Sequence, residues 1–186
     1  MKKHWKVLPQ PPKEHYEKFP ELPKPVVDLL YHRNITTQEK IDEFLNPEYS
    51  KDVHDPFLFH DMQRSVEKIF TSIESGERIT IHGDYDADGV SGATILTQAI
   101  KAVGGNNISV YLPHREIDGY GINNNTIDTL KKEGTKLIVT CDCGISNYDE
   151  IKYANDNNID VIITDHHSIP DKIPEAYAIL HPKLPT

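Results

Sequence analysis

The sequence lacks any apolar run approaching the roughly 18 residues that cross a bilayer. Its lysine-led start, Met1-Lys2-Lys3-His4-Trp5-Lys6, looks like the opening of a signal peptide, but prolines follow where an apolar core belongs. These absences predict a cytoplasmic protein with no membrane partner. Cysteine is nearly missing, with only Cys141 and Cys143. The two stand too close in sequence for an easy disulfide and do not have C-x-x-C spacing. A disulfide scaffold is therefore excluded, and both read as small buried apolar residues. Positive charge is also scarce. A net charge of −9 excludes a wholesale basic nucleic-acid surface. It leaves nucleic acid open as a substrate, because a carboxylate-rich site tolerates its own charge by holding cations, which invert the local field. There is no G-x-x-x-x-G-K-[ST], no G-x-G-x-x-G after the first strand and no G-x-S-x-G elbow. These gaps argue against a P-loop nucleotidase, a dinucleotide-binding fold and a serine hydrolase.

Residues 9–25 hold six prolines, a density that predicts an extended arm rather than a helix or central strand. Short helical patterns follow, one from Val26 to about Asn34 and one capped by Thr36 or Thr37 and stopped at Asn46-Pro47. Residues 48–60 read as turns. From Asp61 a longer helix is expected to about Ser75, with Met62, Val66, Ile69, Phe70 and Ile73 at helical spacing and Gly76 after its end. Beyond Arg78 the rhythm alternates. Strands are expected at Ile79–His82, Ile108–Leu112, Leu137–Cys141, Val161–Thr164 and Ala178–Leu180. Helices between them are expected at Val90–Val103, Thr126–Lys132 and Tyr148–Asn157. This order predicts an α/β fold: an open, mainly parallel sheet flanked by helices, joined by right-handed crossovers. The domains are placed at 1–60 for the arm and short helices and at 61–186 for the sheet. The chain stops at Leu184-Pro185-Thr186, directly after the last strand, which suggests a fragment.

Three strand ends carry chemistry. The first reads His82-Gly83-Asp84-Tyr85-Asp86-Ala87-Asp88-Gly89. Three carboxylates this close repel one another unless a cation neutralises them. The plainer alternative is a solvated loop in which Asp88 caps the next helix, but a cap needs one carboxylate, not three. A calcium loop fails, because counting from Asp84 the twelfth position is Ile95 where Glu is required. Gly83 and Gly89 are expected to let the backbone turn tightly. Ser91 and Gly92 are expected to open a helix whose N-terminus receives a phosphate. The second strand end holds Asp142, which alone would read as a cap or turn residue. The third holds Asp165-His166-His167, which alone could be a polar loop in a chain with ten histidines. Their convergence decides. In an open parallel sheet, ligands bind beyond the carboxyl ends of the strands. Imidazole and carboxylate donors without thiolates suit manganese or a similar divalent ion, and two such ions can hydrolyse a phosphate ester.

At these residues the sequence resembles the DHH-family phosphoesterases. Asp165-His166-His167 matches the eponymous triplet, His82 to Gly89 the first motif, and Asp142-Cys143-Gly144 the second. The form Gly83-Asp84-Tyr85-Asp86-Ala87-Asp88-Gly89 is similar to the RecJ-type branch. So are Pro113-His114-Arg115 with Gly119-Tyr120-Gly121, and the upstream Phe44-Leu45-Asn46-Pro47, Asp55-Pro56 and Asp61-Met62. The resemblance implies a manganese- or magnesium-dependent 5′→3′ exonuclease acting on single-stranded DNA in repair and recombination. It implies one ion on His82, Asp86 and Asp142, and a second on Asp88, Asp142 and His166, with Asp142 bridging. His167 would contact the scissile phosphate, Asp84 would support the cluster or accept a proton, and Arg115 would clamp phosphate, unless it forms an ordinary surface ion pair. Single-stranded DNA is the implied partner, with a single-strand-binding protein or a helicase beside it. The family pattern also implies a fourth motif with a further ligating Asp, a second catalytic-half domain and an OB-fold, none of them in this sequence. The segment alone is therefore expected to be impaired or inactive. Two other readings stay open: a phosphodiesterase of short oligonucleotides or cyclic dinucleotides, and a catalytically incomplete binding module.

Overall fold

The computed structural model describes residues 4 and 6–184. The other residues of the lysine-led start, and Pro185 and Thr186 at the close, lie outside the described residues. The chain divides into two compact units, Met1–His54 and Asp55–Thr186. The one-turn 3-10 helix at Pro56–Leu58 thus goes with the second unit.

In the first unit the Pro-rich stretch is not a continuous extended arm, as its composition predicts. Helix α1 (Lys13–Lys18) forms inside it, and α2 (Lys24–Tyr31) begins before its end. Proline position explains the difference. Pro12 is the N-cap of α1 and Pro25 sits in the first turn of α2, where a missing N–H breaks no helical bond. Pro20 falls after α1 has ended. Thr37 caps α3 (Gln38–Leu45), its hydroxyl accepting the Lys40 N–H at 3.4 Å. A single turn, α4 (Tyr49–Asp52), forms in the stretch that reads as turns. Phe19, Val27, Leu30 and Ile41 make a small core of their own.

The second unit starts with α5 (Met62–Glu74) and continues as β1 (Arg78–Gly83), α6 (Ala87–Ala102), β2 (Ile108–Tyr111), α7 (Asn124–Lys132), β3 (Thr135–Cys141), α8 (Tyr148–Asp156), β4 (Asp160–Thr164) and β5 (Ala178–Leu180). The strands form one sheet in the order β2-β1-β3-β4-β5, and every pairing is parallel. This is the expected open sheet flanked by helices. Side chains alternate across it. Ile79, Ile81, Leu137, Val139 and Ile162 face one apolar layer, and Ile138, Val161 and Ile163 face the other. Burial on both faces is why these strands read as continuous apolar runs. Thr80 is fully buried, but its hydroxyl meets Ser109 Oγ at 2.9 Å and Thr135 Oγ1 at 2.7 Å across β2-β1-β3.

Helix α6 starts three residues earlier than its apolar pattern suggests. Asp86, not Asp88, is the cap, and its Oδ1 accepts the N–H groups of Asp88 and Gly89 at 3.0 and 3.1 Å. The sequence signal is weak there because Ala87-Asp88-Gly89 carries no apolar periodicity.

Candidate metal centre

Strands β1, β3 and β4 are consecutive neighbours, so the loops that leave them emerge side by side. Parallel hydrogen bonding continues one residue past each strand. Asp84 N–H donates to Cys141 O at 3.2 Å, Asp142 N–H to Thr164 O at 3.0 Å, and Asp165 N–H to Leu180 O at 3.2 Å. Asp84, Asp142 and Asp165 are therefore equivalent residues, each the first beyond its strand. The sheet register sets them in a row along the carboxyl rim.

Their side chains then diverge in role. Asp142 takes a left-handed backbone, φ 64°, a conformation that Asp tolerates better than most residues. Its carboxylate joins two groups whose donor atoms lie within 4.8 Å of one another: Asp84, Asp86 and Asp142, and Asp142, His166 and His167. His166 Nε2 lies 2.8 Å from Asp142 Oδ1. Burial and the facing Asp86 carboxylate push the Asp142 pKa up, with His166 opposing. Asp86 is held low by the helix-capping N–H of Gly89, a benefit that burial reduces. Asp142 is thus the crowded member of the pair, a group that gains from a cation.

Glycines make this proximity possible, though not as turn formers. Neither Gly83 nor Gly89 has a positive φ. A Cβ on Gly89 would lie 2.4 Å from Asp84 N and 2.6 Å from Asp84 O, and one on Gly83 would lie 2.8 Å from Gly89 O. They allow the first turn of α6 to lie directly on the end of β1. The tight-turn reading of these two residues is corrected to one of close approach.

His82 and Asp88 do not join the two tight groups. His82 is fully buried, stacked on Tyr111 with ring centroids 5.4 Å apart, and its Nδ1 lies 3.6 Å from Cys143 Sγ. Burial lowers its pKa to about 4, so the ring is a neutral donor at pH 7. Its Nε2 and the Oδ1 of Asp84 are both buried without a hydrogen-bond partner among the described residues. Two orphaned acceptors at one strand end suit a cation, since an unpaired buried polar atom is costly. The residues present fit a divalent ion. Asp88 is exposed and shares a shallow depression with Asp142 and His166, walled by Phe59, Met62, Leu180 and Pro182.

Ser91 and Gly92 do not open α6. With the helix beginning at Ala87, both lie in its second turn, away from the unbonded N-terminal amides on which the phosphate expectation rested. Arg115 is exposed, and its guanidinium sits 5.3 Å from the ring centroid of Tyr85, beside the first motif.

Sequence reasoning gave Asp165 no role of its own. Its side chain is 1% exposed. Oδ2 accepts from Ile145 N at 3.0 Å, and Oδ1 from His166 N at 2.7 Å, His167 N at 3.1 Å and His167 Nδ1 at 2.8 Å. Burial acts against its charge, but these hydrogen bonds together hold its pKa low. The same carboxylate raises the pKa of His167. Asp165 therefore orients the histidine pair rather than joining the close donor groups. Its sequence signals are its place at the head of the Asp165-His166-His167 triplet and just past a strand, and neither tells its role.

The family model for the DHH family, N-terminal domain, matches residues 78–186. The single-stranded-DNA-specific exonuclease RecJ of Bacillus subtilis is 37% identical over 160 residues, 86% of this chain and 20% of that protein. RecJ of Thermus thermophilus is 32% identical over 183 residues, 97% of this chain and 26% of that protein. The chain thus spans about a fifth to a quarter of the curated relatives it matches. Among solved structures, exonuclease RecJ bound to manganese superposes with TM-score 0.65 at 32% identity, over 71% of this chain and 34% of that one. Thermus thermophilus RecJ with Mn2+ gives TM-score 0.59 at 26% identity, over 96% and 24%. With the three motifs gathered on one sheet rim and the family model covering more than half its length, this chain belongs to the DHH family.

Proposed function

We propose that this chain is the metal-binding part of a RecJ-type exonuclease that hydrolyses phosphodiester bonds of single-stranded DNA, 5′ to 3′, in cytoplasmic DNA repair and recombination. The row of strand-end aspartates with the histidine pair beside it carries the proposal, together with the two orphaned buried atoms, His82 Nε2 and Asp84 Oδ1. The names of the relatives supply the substrate class, and the neighbouring structures with manganese supply the cation.

His82, Asp86 and Asp142 would hold one ion, and Asp88, Asp142 and His166 the other, with manganese or magnesium in both places. Held by these residues, a pair of divalent ions would supply Lewis-acid activation of a water and would offset charge on the phosphate. The chain's own residues prepare the site. Asp142 belongs to both close groups, so its carboxylate can serve two ions. Asp86 keeps one oxygen on the helix cap, which fixes the direction of the other. Asp165 engages Nδ1 of His167, which leaves Nε2 to face a phosphate. Asp84 supports the cluster from beneath, where its free Oδ1 can accept a proton. Arg115 offers its guanidinium to the phosphate chain. A single-strand-binding protein or helicase would present the DNA.

The test begins with manganese calorimetry on this chain and on Asp142→Ala. Binding that disappears in the variant supports the site. The complete parent protein should then degrade a 5′-phosphorylated single strand, stop in EDTA and recover with manganese. Cleavage that persists in EDTA refutes the metal mechanism, and strong preference for a dinucleotide would reassign the enzyme to short substrates.

A further inference from the structure

The motif Gly119-Tyr120-Gly121 lies in the loop between β2 and α7, outside the ligand-bearing strand ends. Both glycines have φ 77°. A Cβ on Gly121 would come within 2.6 Å of Asn147 Oδ1, so the loop lies against the start of α8. Asn147 Nδ2 also donates to Ile122 O at 3.1 Å, which pins the loop from its other side. The result is a fixed platform that directs Tyr120 at the site.

We propose that Tyr120 is a positioning residue for the Asp142 backbone, which sets where its carboxylate stands, and for the His167 ring, a role that rests on the metal-centre reading above. Its hydroxyl donates to Asp142 O at 3.2 Å and accepts from His167 Nδ1 at 3.1 Å. The ring also meets the His167 imidazole edge-on, with centroids 5.6 Å apart at 74°. Each contact answers a local need. Asp142 has a left-handed backbone, and a carbonyl accepting a hydrogen bond from a fixed hydroxyl resists reorientation. The Nδ1 proton of His167 is shared between Asp165 Oδ1, at 2.8 Å, and Tyr120. Two acceptors on either side of one N–H set the tautomer and the rotation of the ring together. Tyr120 thus ties the loop after β2 to the loops after β3 and β4 through one hydroxyl, and Nε2 of His167 is left facing outward. Of the two, Asp142 is a metal-holding residue, and losing a partner that orients such a ligand weakens metal affinity by about 10–100-fold.

Tyr120→Phe keeps the ring and its packing but removes both hydrogen bonds. Manganese affinity measured by calorimetry on the whole chain should fall about tenfold. In the metal-free protein at mildly alkaline pH, NMR should show the Asp142 carbonyl carbon shifted and the His167 Nδ1 proton exchanging faster with water. Thermal unfolding should change little. Unchanged manganese affinity together with unmoved Asp142 and His167 resonances would overturn the proposal. Equal losses of affinity and of global stability would also overturn it, because the hydroxyl would then be a general structural contact. If the wild-type chain binds no manganese, the metal-centre reading fails, while the two metal-free resonances still decide whether Tyr120 holds Asp142 and His167.

Discussion

Replacing Gly89 with alanine sets two effects of opposite sign against each other. Gly89 lies in the first turn of α6 without a positive φ, so helix propensity alone predicts that alanine stabilises by about 1 kcal/mol. The structure predicts the reverse. The new Cβ would stand 2.4, 2.6 and 2.7 Å from the N, O and C atoms of Asp84. These are backbone atoms, and Asp84 is itself tied to Cys141 O by its N–H at 3.2 Å. Relief requires lifting the helix start off β1 or breaking that rim bond. Overpacking of this kind costs about 3 kcal/mol at the upper end of its usual range, which leaves a net loss of about 2 kcal/mol. With a urea slope of about 2 kcal/mol per molar, the midpoint should fall by about 1 M at unchanged slope. Gly92 is the internal control. A Cβ there meets Cys141 Cβ at 3.5 Å and Sγ at 3.7 Å, both ordinary contacts, so Gly92→Ala should stabilise by about 1 kcal/mol. If Gly89→Ala proves as stable as the wild type, or if the two variants move together, the close-approach argument is wrong.

Asp165→Asn should destabilise the chain by about 3 kcal/mol, because it removes the charge from a buried, fully bonded carboxylate. The His167 pKa should drop back toward its ordinary value, and an NMR titration showing no drop would contradict the assignment. Metal-free stability should peak near pH 6.5, the unfolded pKa of histidine. Above it, the His167 contribution fades as pH climbs through its raised folded pKa, which Asp165 sets. Below it, the unfolded chain protonates His82 while the buried ring resists until about pH 4, so stability falls again. Thermal melts across pH should show both limbs, and His82→Phe should flatten the acid one. Thr80→Val should cost about 1–3 kcal/mol in chemical denaturation, because Ser109 and Thr135 each lose a partner.

The strands were the most legible part of the fold. Ile79–His82, Leu137–Cys141 and Val161–Thr164 are short apolar runs between helical patterns, and β1, β3 and β4 lie over them. Their adjacency makes the three motifs one site, and periodicity alone does not give adjacency. Helix starts were less legible where polar residues carry them. Asn123 caps α7 through Thr126 N at 2.9 Å, so the helix begins two residues ahead of the expected start, and Asp86 caps α6 in a stretch without apolar rhythm. Helix α1 is hidden by the number of prolines around it, although their positions, with Pro12 as its N-cap, leave the helix itself free of them. Asp165 and Tyr120 are legible as members of motifs, but their roles are not, because Ile145 stands 20 residues from Asp165 and His167 stands 47 from Tyr120, and such contacts leave no local pattern.

The parallel register of the rim has a kinetic consequence. His82 and Cys143 touch across 61 residues of sequence, and His166 meets Asp142 across 24. Each such contact must wait for a crossover helix to form and dock, so the loops gather only after the chain has paid the entropy of closing long segments. During that interval the acidic strand ends stay apart and their repulsion is small. Crowding of Asp84, Asp86 and Asp142 develops only as the strands lock together, which places the electrostatic cost late on the folding pathway. Mutations that relieve it should therefore slow unfolding more than they accelerate folding.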